Sequence, residues 1–349
     1  MAVAPAPAGT APRGPAERRA PGEVATAIAK QFLTLREGSI IVITVATIIF
    51  FAATTSNFLT GSNFKTLLPY FAPFAIMAAG QVFVMINGEI DLSIGAVYLF
   101  IPFWFHQVHH WGLPVAPALI IALLTACVIG AVNGMFIAII GISSFVATLG
   151  VLFVLDGVTL ILSHATPVSI PATSPTGVGT FAQIFGGGTY SELIWALAVI
   201  VVLQLVLSFT RWGIYTVSVG GNRLGASEAG IRVRFVLIRN FILCALCAGF
   251  VGVLEAVRTT TATPDPSASN DILFQAISAA VIGGTLLRGG SGTVVGALIG
   301  ALFLGVLHDG LTIKGVNANY LDLYLGIAIL IAMTANTFVA RVRTGAGHG

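Results

Sequence analysis

Charge is scarce in this chain. Asp, Glu, Lys and Arg make up 8% of its 349 residues, against 56% hydrophobic residues. Soluble domains carry about 25% charge. A soluble fold of this size would lack the polar surface to cover itself, so the composition describes a polytopic membrane protein. A cytosolic enzyme, a nucleic-acid binder and a disordered scaffold are excluded. Cysteine is nearly missing too. Cys127, Cys244 and Cys247 all sit in apolar runs and are too few for a disulfide framework. The C-x-x-C spacing of Cys244 and Cys247 has no second pair and no nearby His to complete a zinc set, so both read as small buried hydrophobes. H-E-x-x-H, G-x-S-x-G and a P-loop Lys are also absent. His106, His109 and His110 cluster without a carboxylate or Cys beside them; with Trp104 and Trp111 they suit a membrane interface better than a metal site.

Long apolar runs are what the chain does have. A spanning helix needs roughly 20 apolar residues. Such segments are predicted near 39–58, 67–86, 91–108, 114–133, 145–163, 192–210, 236–257, 272–287, 292–311 and 320–340. The eighth is short and reads as a half-helix. The fold class is therefore all-α, with about ten transmembrane helices, some of them broken. Residues 1–37 are rich in Pro, Ala and Gly and are expected as a disordered cytoplasmic tail. The transmembrane domain is expected over 38–340, with a second cytoplasmic tail at 341–349.

The basic residues set the orientation. With ten spans and the N-terminal tail inside, thirteen Lys and Arg lie on the cytoplasmic side, and only Lys65, Arg258 and Lys314 lie outside. That is the asymmetry the positive-inside rule requires. The longest inside segment, 211–235, carries Arg211, Arg223, Arg232 and Arg234. Within it, VGGNRLGASEAGI holds a helix-forming stretch of about two turns that ends at Gly230.

Two places need a reason. A charge at the centre of a membrane helix costs about 2.5–3.5 kcal/mol on insertion scales. Yet Glu89 and Asp91 stand together in MINGEIDLSIGAV, between Gly88 and Gly95 and beside Asn87 and Ser93. This is either a discontinuous helix, whose unwound backbone offers free N–H and C=O groups, or a short turn with Asp91 as an ordinary N-cap. The second place is VIGGTLLRGGSGTVVGALIGALFLG, residues 281–305. Here Gly292, Gly296 and Gly300 recur every four residues and give one helix face room for close contact with another helix. Its Gly spacing is wrong for a dinucleotide site and it has no P-loop Lys.

These motifs coincide with one family. The chain resembles the permease subunit of bacterial ABC importers for simple sugars, of the ribose/galactose/xylose type within the branched-chain amino acid/sugar permease superfamily. NGEIDLSIGAV (87–97) is similar to the family's Gly-Ile-Asp-Leu-Ser-Val-Gly signature. VNGMFIAIIGISSFVATLGVLFVLDG (132–157) resembles its Asn-Gly and Phe-Ile-Ala-Thr-Leu-Gly segments. VGGNRLGASEAGI (219–231) resembles its cytoplasmic Gly-Asn stretch, and 281–311 its Gly-rich segment. The resemblance spans about 40 to 338, with every motif in order. Departures include Glu89 where Gly is frequent, Gly225-Ala226 for an Ala pair, Leu273-Phe274 for a Glu-Leu pair, and His308-Asp309-Gly310 for an Asn-rich turn.

The resemblance implies a type II ABC importer permease in the bacterial inner membrane, with both termini cytoplasmic. It implies a second permease subunit, expected as a homodimer, and a periplasmic or lipid-anchored sugar-binding protein. A separate ATPase subunit would bind ATP and Mg, so no cofactor is expected in this chain, nor any metal, nucleic-acid or catalytic site. Residues 221–231 would form the coupling helix, with Gly221, Asn222, Glu228, Ala229 and Gly230 as the ATPase contact. A neutral, polyhydroxylated substrate needs hydroxyls and amides, which Asn87, Asp91, Ser93, Asn133, Ser144 and Thr148 supply. Asp91 and Ser93 are expected to pin the broken helix. The competing expectation is an ion-coupled secondary transporter of a small polar solute, using Asp156, Glu255 or Asp309 as the embedded carboxylate.

Overall fold

The computed structural model describes residues 37–170, 173–174 and 177–345. The expected tail at 1–37 lies outside these except for Glu37, as do residues 346–349 of the second tail.

The chain folds as helices in sequence order. They are α1 (Gly38–Thr54), α2 (Gly61–Ile86), α3 (Ile94–His110), α4 (Val115–Met135), α5 (Ser144–Ser163), a single turn α6 (Thr180–Ala182), α7 (Ser191–Phe209), α8 (Arg211–Gly221), α9 (Arg223–Glu228), α10 (Val233–Thr259), α11 (Pro266–Ile282), α12 (Val294–Ile313) and α13 (Leu321–Gly345). Short strands decorate one end. β1 (Val168–Ser169) pairs antiparallel with β4 (Thr261–Ala262), and β2 (Thr173–Ser174) with β3 (Gly177–Val178).

Each predicted span falls on one of these helices. Six of them are long and apolar enough to cross a membrane by length and composition: α2, α4 with the π-turn Phe136–Ile140 that follows it, α5, α7, α10 and α12. Boundaries moved where a cap overrode hydropathy. Thr60 accepts from the Asn63 N–H at 3.3 Å and starts α2 at Gly61 instead of near 67. Asp265 accepts from the Ser267 and Ala268 N–H groups, and Pro266 follows it in the first turn. The expected half-helix at 272–287 is thus a 17-residue helix that begins earlier and ends at Ile282. The segment 211–235, expected as a cytoplasmic loop, is mostly helical, because Thr210 caps α8 and Asn222 caps α9.

Burial divides the bundle. The apolar stretch is 83% buried in α2 and 67% in α10, but 28% in α4, α5 and α7. The first two form the centre, and the other three turn residues such as Phe153, Ile161 and Val201 outward. Lipid tails solvate such side chains, so helices associate here through close packing and hydrogen bonds. Small residues clasp α10 on several sides. Gly80 of α2 meets Cys244 and Cys247; Gly130 and Gly134 of α4 meet the backbone at Phe241 and Ile238; Gly252 of α10 itself meets the Tyr98 carbonyl of α3.

A Cβ on Gly134 would stand 2.6 Å from the Ile238 Cα, whereas one on Gly150 of α5 meets nothing within 4 Å. Gly134→Ala is expected to destabilise the detergent-solubilised chain by about 1–3 kcal/mol. Gly150→Ala is expected to be neutral or stabilising by up to about 1 kcal/mol. Thermal melts of the two variants check this, and equal melting temperatures would count against the packing described.

Candidate functional site

The helical chain stops at Ile86. Gly88, at φ +75°, turns it, and residues 89–92 run without helical hydrogen bonding until α3 begins. Where such unwound backbone is shielded from water it persists only if other groups satisfy it. The first turns of α5 do so. Ser144 Oγ accepts from the Ile90 N–H at 3.3 Å and Thr148 Oγ1 from the Leu92 N–H at 3.0 Å. Asp91 is fully buried, and its Oδ1 accepts from the Ser93 N–H at 2.9 Å and the Ser93 hydroxyl at 2.6 Å. Asn133 of α4 donates to Ser93 Oγ at 2.7 Å. Five of the predicted residues therefore form one buried cluster that pins the break.

The sixth, Asn87, opens a second cluster that sequence reasoning missed. Its Nδ2 donates to the Thr216 carbonyl of α8 at 2.9 Å, and its Oδ1 accepts from Asn240 Nδ2 at 2.6 Å. Asn240 accepts in turn from Trp212 Nε1 at 2.7 Å. A lone amide in the apolar α10 was the available signal.

Below this lies α9. Asn222 accepts from the Gly225 N–H at 2.9 Å at its start. At its end the Gly230 N–H reaches the Ser227 carbonyl and the Ile231 N–H the Ala226 carbonyl, with Gly230 at φ +83°. This is a Schellman ending, which needs a left-handed residue. Gly221, Asn222, Glu228, Ala229 and Gly230 are all exposed, and so is Leu224 at 71%. The helix offers an outer face while it is tied inward. Arg223 forms an ion pair with Glu89 at 2.5 Å and donates to the Asn87 carbonyl at 2.8 Å.

Three backbone segments meet beside that ion pair. The Gly290 N–H donates to the Ile86 carbonyl at 2.7 Å. A Cβ on Gly289 would sit 2.8 Å from the Gly88 N, and one on Gly220 would overlap the Ile86 carbonyl. The end of α2, the end of α8 and the loop before α12 thus touch main chain to main chain. Of the three glycines expected on one helix face, Gly296 and Gly300 of α12 press on the backbone at Gly283, just past α11, and at Ala279 within it, but Gly292 lies in the loop before α12, against Ile86 and Thr285, because Thr293 caps the helix only at Val294.

The remaining predicted features lie apart. Glu255 is ion-paired with Arg258 and Asp309 accepts from Asn63 Nδ2 at 2.8 Å, while Asp156 is on the peripheral α5. His106 lies 2.8 Å from the Ser169 carbonyl and stacks on His110. Cys244 donates to Gln81 Oε1 at 3.1 Å. Among the described residues, no group of three His, Cys, Asp or Glu is placed to hold a metal.

A bundle of apolar helices, with the turn between two of them built around a buried polar cluster and wired to an exposed helix, suits a membrane transport subunit. The family described as branched-chain amino acid transport system / permease component matches residues 63–333, and the chain belongs to it. The chain is similar to the xylose/arabinose import permease protein of Sulfolobus acidocaldarius, at 34% identity over 87% of this chain and 86% of that protein. It is 33% identical to the ribose import permease protein of Escherichia coli K12, over 79% of this chain and 86% of that one. A probable ABC transporter permease protein of the same strain is 30% identical, over 89% of this chain and 93% of its own length.

The geometry ranks two perturbations. The Arg223 side chain is 47% exposed and Glu89 12%, and exposed ion pairs contribute about 0–1 kcal/mol. Glu89→Gln is expected to lower thermal stability little. Gly220→Ala forces main-chain displacement and is expected to lower it by about 1–3 kcal/mol. A larger loss from Glu89→Gln than from Gly220→Ala would contradict this reading.

Proposed function

We propose that this chain is the permease subunit of an ATP-binding-cassette importer and forms the passage for a monosaccharide or related polyol. The observation that carries the reading is the wiring of α9. An exposed helix of two turns is joined through Arg223 and the glycine junction to the broken segment 87–93, so a push on α9 reaches the buried centre. The relatives named for import of xylose, arabinose and ribose support a pentose-sized sugar as cargo. On this reading ten helices cross the inner membrane, both termini are cytoplasmic, and two copies pair as a homodimer. An ATPase subunit grips Asn222, Glu228 and Gly230 and binds ATP and Mg, and a sugar-binding protein delivers the cargo outside. Asp91 and Ser93 hold the break, and Asn87, Asn133, Ser144 and Thr148 hold the backbone around it.

The test is uptake by the reconstituted complex. Sugar entry should require ATP, the ATPase and the binding protein. Gly230 sits at a positive φ that costs a residue with a side chain about 1–2 kcal/mol. Gly230→Val is therefore expected to deform the end of α9 and to cut sugar uptake at least tenfold while ATP hydrolysis continues. Uptake driven by an ion gradient without any ATPase would sink the proposal.

A further inference from the structure

A cleft of about 640 Å³ opens at the end of the bundle remote from α9, between α2, α11 and the last turns of α10. That volume is within the roughly 300–1,000 Å³ of small-molecule sites. A smaller cleft of about 260 Å³ adjoins it and shares Tyr98, Glu255 and Ala268. Neither cleft contains any residue of the buried cluster around Asp91.

Its wall is unlike the lipid-facing helices. Lys65 and Asp271 are exposed on α2 and α11, and both line the cleft. Charged side chains on membrane helices face water or protein instead of lipid, so this side of the molecule borders an aqueous space or another subunit. The four charged groups lining the cleft, Lys65, Arg258, Glu255 and Asp271, cancel. Glu255 and Arg258 are also committed to each other, with Arg258 Nε 3.0 Å from Glu255 Oε2. Arg258 reaches Glu192 of α7 at 3.4 Å as well, which fixes the pair across two helices. The groups that line the cleft itself therefore carry no net charge.

What the cleft does offer is neutral hydrogen bonding on a stiff frame. Tyr70 is held by its stack on His308, with ring centroids 4.1 Å apart, and by its hydroxyl's bond to Gln275 Oε1 at 3.3 Å. Gln275 spends only its carbonyl there, so its amide N–H groups remain as donors among the described residues. The Tyr98 hydroxyl likewise has no hydrogen-bond partner among the described residues. Pro69 and Pro73 lie inside α2 and line the same cleft. Proline has no N–H, so the Lys65 and Pro69 carbonyls lose their helical donors. Aromatic rings, an amide and a hydroxyl suit a small molecule that both donates and accepts hydrogen bonds.

We infer that this cleft is a substrate subsite of the permease itself, which takes a neutral polyhydroxylated compound through Tyr98 and Gln275. The inference rests on the import function proposed above and places a selective station on its outer side.

The experiment uses the permease–ATPase complex in nanodiscs without binding protein, and equilibrium binding of labelled D-xylose, L-arabinose, D-ribose and L-leucine. Wild type is expected to bind at least one pentose weakly and no leucine. Tyr98→Phe removes one oxygen and Gln275→Leu removes the amide, and each is expected to weaken pentose binding about fivefold or more. Elution as an intact complex reports folding of each variant. No pentose binding by wild type, pentose binding unchanged in both variants, or leucine bound in place of pentose would overturn the subsite. Uptake by wild type with its binding protein separates the two claims. If pentose still enters while the variants behave as wild type, the subsite fails and the import function stands. If no sugar enters, the import function fails as well.

Discussion

Backbone that is shielded from water outside a helix must find hydrogen-bond partners within the protein, and the arrangement around residues 87–93 answers that requirement. The turn from α2 into α3 leaves donors and acceptors that no helix satisfies. Here α5 takes two of them through Ser144 and Thr148, while Asp91, Ser93 and Asn133 close a loop of contacts around the turn. The positions of α4 and α5 beside α3 follow from this.

The second requirement is contact without side chains. Where α2, α8 and the loop before α12 converge, glycine lets main chain approach main chain. A rigid joint results, because the junction has no rotamers to absorb displacement. It lies one residue from the cap of α9. A broken helix held by polar contacts and an exposed helix held by backbone contacts therefore share one mechanical element.

Much of this was legible in the amino-acid order. The apolar runs located the helices, and the coincidence of Gly88, Glu89, Asp91 and Ser93 marked the interruption. Asn222 and Gly230 marked the two ends of α9, because a capping side chain and a left-handed residue leave distinct local signs. The partners across space were not legible. Asn240 is one amide in an apolar run, and nothing near it in sequence says that it meets Asn87, 153 residues away in the chain. Helix starts at Thr60 and Asp265 were misplaced because hydropathy averages over turns and a cap acts through one oxygen. The outer cleft was missed for a related reason. Tyr70, Tyr98 and Gln275 sit singly on three helices, and their grouping exists only after folding.

Two of the three native thiols sit where α2 and α10 touch. Cys244 is fully buried and Cys247 nearly so, each against Gly80, and Cys244 is bonded to Gln81. Polar maleimides reach Cys244 only if the two central helices separate, and they reach Cys247, which lines a wholly apolar cleft among α2, α4, α7 and α10, only by leaving water. With Cys127 replaced, the chain becomes an almost silent background for site-directed spin labels or fluorophores, and movements between helices can be followed without dismantling its centre.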